Sequence, residues 1–480
     1  MDISRSFVVT ANPDQYSVDT ILEAHQKIST CSEELSDRIF KAVKKNDHIC
    51  VLHIWSGLIN LKNGMFDEAE KDFLLAEKNA KVKDWQPTYL LKKLRNNYFD
   101  LNRYTDYSSH YTDDSRTQKL GKDNTIKNIL FYYESLEPPN QPYAGTNAVL
   151  SSISQAINKL NNQFRVDLMG KLIPKELCHN GVRMLPVPPE EERDEFIKNY
   201  DIVLIASHLG CLSGAKKHGH QKWILYQHCW KIEKTELKQI DYFNSIICLS
   251  EKHKKTVIAQ GVNGDLIDIF ANNIDTEFYK PQSNVQRANH SILFAGAIVP
   301  YKRLDLLFAA FTFIRKRYPD STMNIYGNAA MWQAGNEYEK ELQYLNCPIV
   351  NYHGAVHSSR MPEIYSKHSV ICIPSTLESF SLVSIEAQAC GCIAVAHNTG
   401  GISVTVQDND TGFLYAPNTA ETLAKTIDKA FKRIAQDESI RDRCRKNICD
   451  NFDIEKNIGR LVDILEKRLL LGHSNQDYPI

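Results

Sequence analysis

Two glutamates, Glu378 and Glu386, flank the short run "ESFSLVSIE", which follows the apolar stretch "SVICIPS". The apolar stretch reads as a buried strand. "SLVSIEAQAC" reads as a helix, with Ser381 as N-cap and Leu382, Ile385 and Ala389 along one face. If both glutamates lay on one helix they would project about 80° apart. Glu378 instead falls in the loop, so the two carboxylates can grip different parts of one elongated ligand. Between them, the first N–H groups of the helix, around Ser381 to Val383, have no intrahelical acceptor and carry the positive end of its dipole. A phosphate or diphosphate suits such a place, and a nearby carboxylate accepts hydroxyl hydrogens. Together they describe a nucleotide sugar. On this stretch alone the alternative is ordinary surface charge, with Glu386 favoured by the dipole of the first turn.

A second set points the same way. "GAIVPYKRLD" places Lys302 and Arg303 in a loop between a strand and its helix, where cations can neutralise a diphosphate and a departing nucleotide. In "HNTGGIS", Gly400 and Gly401 allow backbone to approach a ligand closely.

These residues need elements to hold them. At 480 residues the chain is long enough for two or three domains. Up to about residue 110 the pattern is helical, and "WSGLINLKNGMFDEAEKDFLLAEKNAK" spaces Gly57, Gly64, Phe66, Ala69, Phe73 and Ala76 as in one tetratricopeptide (TPR) unit. That head is either a docking module for a protein partner or a cap on the rest of the chain. Residues 112–125 have linker composition. Beyond them, apolar runs alternate with helical segments, first in "NILFYYE", "FRVDLMG", "DIVLIAS", "WILYQH", "SIICLS" and "LIDIFA". The alternation resumes in "SILFAGA", "TMNIYGN", "IVNYHGA", "SVICIPS", "IAVAHNT" and "GFLYAP". Such alternation predicts an α/β fold of two doubly wound parallel sheets, with ligands at the carboxyl ends of the strands.

Bulk properties narrow the function. A hydrophobic fraction of 42% and a charged fraction of 24% are those of a soluble globular protein. A net charge of −1 gives no global field for nucleic acid; the run "KKHGHQKW" is a local basic patch of the kind that is usually a solvated loop. Twelve cysteines without a C-x-x-C pair suit reduced thiols rather than a disulfide framework or a zinc site. The N-terminal stretch does not read as a signal peptide, and no run has the roughly 18 apolar residues of a membrane span. The expectation is a cytoplasmic protein.

The order of "GAIVPYKRLDLLFAAF", "NYHGAV", "CIPSTLESFSLVSIEAQACG", "AVAHNTGG" and "DNDTGFLYAP" resembles the group 1 (GT4) retaining glycosyltransferases. "AGTNAVLSSISQAI", "CLSEKHKKTVIAQG" and "NNIDTEFYKP" are similar to that family's first-domain motifs. The resemblance implies a GT-B fold: two Rossmann-like domains facing a cleft, here over 126–285 and 286–465, after a helical TPR-like domain (1–111) and before a C-terminal tail (466–480). It implies that Glu386 holds the donor ribose and that Glu378 faces the transferred sugar. The diphosphate would rest on the amides of Phe380, Ser381, Leu382 and Val383 with Ser379 beside them, and Lys302 would bind phosphate. Gly145 would meet the donor from the first domain, and His228 would lie beside the transferred sugar, with His208 as its nearest competitor.

The implied reaction is metal-independent transfer from a nucleotide-diphosphate sugar to a glycan or glycoconjugate acceptor, without a cofactor. The chain departs from the family pattern at Ala297 (Arg is usual), Ser381 (Gly), Asn273 (Gly), Val404 (Glu) and the "AGTN" loop. Ala297 and the altered glycine loop keep one rival open, a catalytically weak scaffold on the same fold; a second rival is a nucleotide-sugar epimerase of similar two-domain architecture. A glycosidase would need opposed carboxylates, and a dinucleotide oxidoreductase would need a G-x-G-x-x-G after a strand.

Overall fold

A computed structural model of the chain describes residues 71–72, 75, 126–139, 145–161, 163–206, 212–328, 349–470 and 478–479. The TPR-like domain, apart from three positions, the linker 112–125 and His208 lie outside the described residues.

The first α/β domain runs through β1 (Lys127–Tyr132), α1 (Gly145–Leu160), β2 (Phe164–Gly170), β3 (Leu177–His179), β4 (Val182–Pro186), α2 (Glu190–Ile197), β5 (Ile202–Ile205), β6 (Lys216–Lys217), β7 (Lys222–Tyr226), β8 (Ser245–Cys248), α3 (Glu251–Ile258) and β9 (Ile267–Ile269). Its sheet has the order β3-β4-β2-β1-β5-β7-β8-β9. The chain therefore builds outward from β1 in both directions, and the order reverses between β1 and β5. Ile129 to Tyr132, Ile202 to Ile205 and Trp223 to Tyr226 are all buried. Helices cover both faces of such a sheet, so its strands read as unbroken apolar runs.

The second domain follows with β10 (Ser291–Ala295), α4 (Leu304–Arg317), β11 (Thr322–Tyr326), β12 (Val350–Gly354), α5 (Met361–Lys367), β13 (Val370–Ile373), α6 (Leu382–Ala389), β14 (Ile393–His397) and β15 (Gly412–Tyr415). Its sheet order, β12-β11-β10-β13-β14-β15, reverses between β10 and β13, and its neighbouring strands run parallel. Both doubly wound sheets agree with the sequence expectation.

Three helices complete the second domain: α7 (Ala420–Gln436), α8 (Ile440–Asn451) and α9 (Ile454–Leu470). The last returns to the first domain and packs on α1. Arg468 Nε donates to Asp268 Oδ2 at 2.7 Å, and Ser245 Oγ donates to the same oxygen at 2.8 Å. With Arg468 only 5% exposed, this is a buried charge pair, and Arg468 Nη2 also donates to the Asp265 carbonyl at 3.1 Å. Asn273 joins this crossing: its Oδ1 accepts from Asn457 Nδ2 at 2.9 Å. The side chain that replaces the family's glycine thus ties the connection between the domains to α9.

The basic run "KKHGHQKW" is taken up locally. Lys217 Nζ donates to the Tyr242 carbonyl at 2.6 Å, and His218 Nε2 lies 3.0 Å from an Asp194 carboxylate oxygen. Among the described residues, no helix is long and apolar enough to cross a membrane.

Candidate functional site

The candidate site forms where the second sheet reverses, because the loops after β10 and β13 diverge there and leave a crevice at the strand ends. The loop after β10 carries Lys302 at the end of a short 3₁₀ turn, Pro300–Lys302. The loop after β13 carries Glu378. The two loops are stitched together by Thr376 N–H, which donates to the Tyr301 carbonyl at 2.8 Å. Lys302 Nζ then donates to Glu378 Oε1 at 2.7 Å, and Ser375 Oγ donates to the same oxygen at 2.6 Å. Glu378 is 8% exposed. Burial alone would lower the pKa of Lys302, but the Glu378 carboxylate outweighs it and the net shift is upward. Lys302 is therefore cationic at neutral pH.

The glycines after β14 act on this loop. A Cβ on Gly400 would stand 2.0 Å from the Glu378 carbonyl oxygen, and one on Gly401 would stand 2.0 Å from that of Ser379. Gly401 N–H donates to the Glu378 carbonyl at 2.7 Å. The close backbone approach expected at "TGG" is thus made to the Glu378–Ser379 main chain, which these glycines hold in place.

Helix α6 starts where expected, but not by the expected device. Ser381 occupies the N-cap position with φ 82° and ψ 83°, and its side chain makes no capping bond. A capping hydroxyl needs extended backbone at this position; in the left-handed conformation Ser381 Oγ is buried without a hydrogen-bond partner. The N–H groups of Leu382 and Val383 belong to the first turn and have no helical acceptor. Phe380, 2% exposed, anchors the turn with its ring 5.6 Å from that of Phe452 in edge contact.

Glu386 lies one turn further, 8% exposed. Tyr365 donates to its Oε2 at 2.7 Å, and Tyr279 bonds it as well. Burial raises its pKa, while the two hydroxyls pull it partly back. A carboxylate has about four acceptor positions, so two remain for a ligand's hydroxyls. Sequence reasoning missed Tyr365, which sits in no motif and reaches its carboxylate only through the packing of α5, and Ser375, which lies in the quoted "CIPSTLESFSLVSIEAQACG" stretch three positions before Glu378 but was not singled out.

Arg303 takes a different course from Lys302. In a left-handed conformation at the start of α4, it forms a forked pair with Asp305, with donor–acceptor distances of 3.0 to 3.1 Å.

From the first domain, Gly145 opens α1 against the start of α6: a Cβ there would meet Leu382 Cδ1 at 3.1 Å. His228 follows β7, its ring 4.3 Å from that of Tyr226. Its Nε2 is buried without a partner, and burial, aided by nearby His253, pushes its pKa down to about 3. His228 is a neutral imidazole at physiological pH, with a ring nitrogen left for a ligand.

Residues 275–448, which hold Lys302, Glu378 and Glu386, match the family of glycosyl transferases group 1. Among curated proteins, the D-inositol 3-phosphate glycosyltransferase of Rhodococcus jostii is 27% identical over 191 residues, 37% of this chain and 42% of that protein. The enzyme of the same name from Streptomyces griseus is 34% identical over 142 residues, 28% of this chain and 30% of its own length. The chain spans about half or less of the length of the curated relatives it matches. Among solved structures, sucrose-phosphate synthase from Thermosynechococcus elongatus superposes with a TM-score of 0.60 at 16% identity, over 71% of this chain and 98% of that one. Anabaena HepE in complex with UDP and glucose superposes with a TM-score of 0.58 at 17% identity, over 70% and 99%. At these identities the likeness establishes the fold, which is GT-B.

Proposed function

With residues 275–448 a group 1 glycosyltransferase domain on a GT-B fold, we propose that the protein moves a sugar from a nucleotide-diphosphate donor to an acceptor, with retained anomeric configuration and without a metal ion. The observation that carries this reading is Lys302 held 2.7 Å from Glu378 beside the open first turn of α6. The donor's diphosphate rests on the Leu382 and Val383 amides, and Lys302 offsets the charge that builds on it as the glycosidic bond breaks. Glu386 accepts the ribose hydroxyls and Glu378 those of the transferred sugar. His228, neutral and lacking a partner at Nε2, faces the sugar from the first domain. Attack comes from the face the nucleotide leaves, its phosphate taking the acceptor's proton. Closure of the two domains excludes water and so limits hydrolysis.

A panel of nucleotide sugars read by ligand-dependent thermal stabilisation tests donor binding, and transfer assays with the donors that bind test the reaction. Stabilisation by a nucleotide sugar followed by glycoside formation is the expected result. Donor binding without transfer to any acceptor would favour a scaffold, and conversion of donor alone, seen by NMR, an epimerase.

A further inference from the structure

Glu386 is held by the hydroxyls of Tyr365 on α5 and of Tyr279 in the connection between the two sheets. The far end of its own helix is bound to both tyrosines. At the close of α6 the carbonyls of Glu386, Ala387 and Gln388 are taken by the N–H groups of Cys390, Cys392 and Gly391. The next three carbonyls go to guanidinium groups. Arg445 Nη1 donates to that of Ala389 at 2.9 Å, Arg287 Nη2 to that of Cys390 at 2.8 Å, and Arg441 Nη1 to that of Gly391 at 2.8 Å. Cations suit the negative end of a helix dipole.

Two of the three do more than cap. Arg445 Nη1 also donates to the Tyr279 carbonyl at 3.0 Å. Arg287 Nη1 donates to the Tyr365 carbonyl at 3.0 Å and to that of His368. Each straps the main chain of one tyrosine to the end of the helix that carries Glu386. Arg441 makes the same kind of cap but reaches the Ser369 carbonyl, at 3.4 Å, and neither tyrosine. Burial lowers the pKa of Arg287 and, aided by the Arg287 charge, brings that of Arg441 to about 10. A cap alone does not need such crowded cations, whereas joining two backbone segments in fixed geometry suits a planar fork.

We propose that Arg287 and Arg445 are positioning residues for donor binding: by holding Tyr365 and Tyr279 against the end of α6, they fix both hydroxyls on Glu386. The inference rests on Glu386 binding the donor, as proposed above. The hydroxyls favour the ionised carboxylate against the burial that raises its pKa. The other titratable groups nearby are Cys390, at the end of the same helix, and Asp275, which acts on Tyr279. Once the tyrosines are loosened, burial is less opposed and Glu386 protonates at higher pH.

The dissociation constant of UDP, ADP or GDP, whichever binds the full-length wild type most tightly, is measured by calorimetry from acid to neutral pH. Arg287→Lys and Arg445→Lys keep the charge and lose the fork. Each should weaken binding about threefold or more at neutral pH and raise the acid-side midpoint by about half a unit or more. Arg441→Lys, a cap without a tyrosine, should leave affinity and midpoint as in the wild type. Tyr279→Phe should reproduce the Arg445→Lys shift, and the double variant should add little to either change. A wild-type midpoint in the lysine variants, an equal shift in Arg441→Lys, or additive effects in the double variant would each overturn the assignment and leave the arginines as caps. Where one lysine variant loses its fold by circular dichroism, the other carries the test; loss of the fold in both would make them general stabilisers and overturn it too. Absence of nucleotide binding by the wild type, or an acid-side loss that persists in Glu386→Gln, would instead overturn the role of Glu386 on which the inference rests.

Discussion

Lys302 Nζ and Glu378 Oε1 are 2.7 Å apart although 76 positions separate them in the chain. The pair joins the two loops that diverge where the second sheet reverses, and places a cation and a carboxylate side by side at the start of α6. Replacing Lys302 with Ala removes the charged partner proposed for the diphosphate, worth about 1.5–3 kcal/mol. Nucleoside-diphosphate affinity measured by calorimetry should fall by about an order of magnitude or more. Wild-type affinity in this variant would remove Lys302 from the site.

Glu386 should link donor binding to pH. Its carboxyl titrates above the ordinary glutamate range because it is buried. In the proposed site, donor hydroxyls bond the ionised form, so affinity should weaken as pH falls through that raised pKa, beginning above the pH where an ordinary glutamate protonates. The same shift works in reverse on stability: the folded state favours the protonated form, and that contribution disappears as pH rises through the folded pKa. Glu386→Gln should therefore bind nucleotide about tenfold more weakly at pH 7, show a flat pH profile, and melt no lower than the wild type. An unchanged acid-side profile in the variant would count against the assignment.

Ser381→Gly separates strain from binding. A non-glycine residue in the left-handed region costs about 1–2 kcal/mol, and the entropy of an added glycine takes back about 0.5–1 kcal/mol. The variant should gain up to about 1.5 kcal/mol in urea unfolding, with donor affinity within about twofold if the Leu382 and Val383 amides make the contacts. A loss beyond tenfold would show that the hydroxyl binds the donor itself.

Gly401→Ala puts a methyl group 2.0 Å from the Ser379 carbonyl oxygen. The obstructing atom is backbone, so the loop carrying Glu378 must move. A loss of about 2 kcal/mol or more in stability is expected, together with weaker donor binding, both readable from a ligand titration of the melting temperature. A neutral outcome would show that this loop is softer than its packing indicates.

His228→Ala should abolish transfer while leaving donor affinity largely intact, as shown by comparing kcat with the nucleotide Kd. The wild-type pH–rate profile should carry no inflection near 6.5 from this residue, since its pKa is pushed down to about 3. Buried His253 and His368, both pushed down to about 4 mainly by burial, share this behaviour. The unfolded chain takes up protons below about pH 6.5 that the fold refuses. Stability measured by urea unfolding should therefore fall as pH drops from 6.5 towards 4.

The sequence by itself determined the two parallel sheets, because strands buried on both faces must be apolar throughout: "ICI" in β13 and "IVLI" in β5 admit little else. It also located the loops that carry Lys302, Glu378 and His228, since strand-to-helix alternation marks the carboxyl ends; Gly145, read as a loop residue, is instead the first residue of α1. Only the tertiary structure decided what those side chains meet. Arg303 and Lys302 are adjacent cations in sequence, yet one is taken by Asp305 and the other by Glu378. Ser381 has the residue type of a helix cap, yet its left-handed backbone turns the hydroxyl away from capping. Tyr365 gave no signal because a hydrogen bond to a carboxylate 21 positions away leaves no local pattern. Apolar periodicity is a property of neighbours along the chain; the pairing of polar atoms depends on distances that only the packed fold sets.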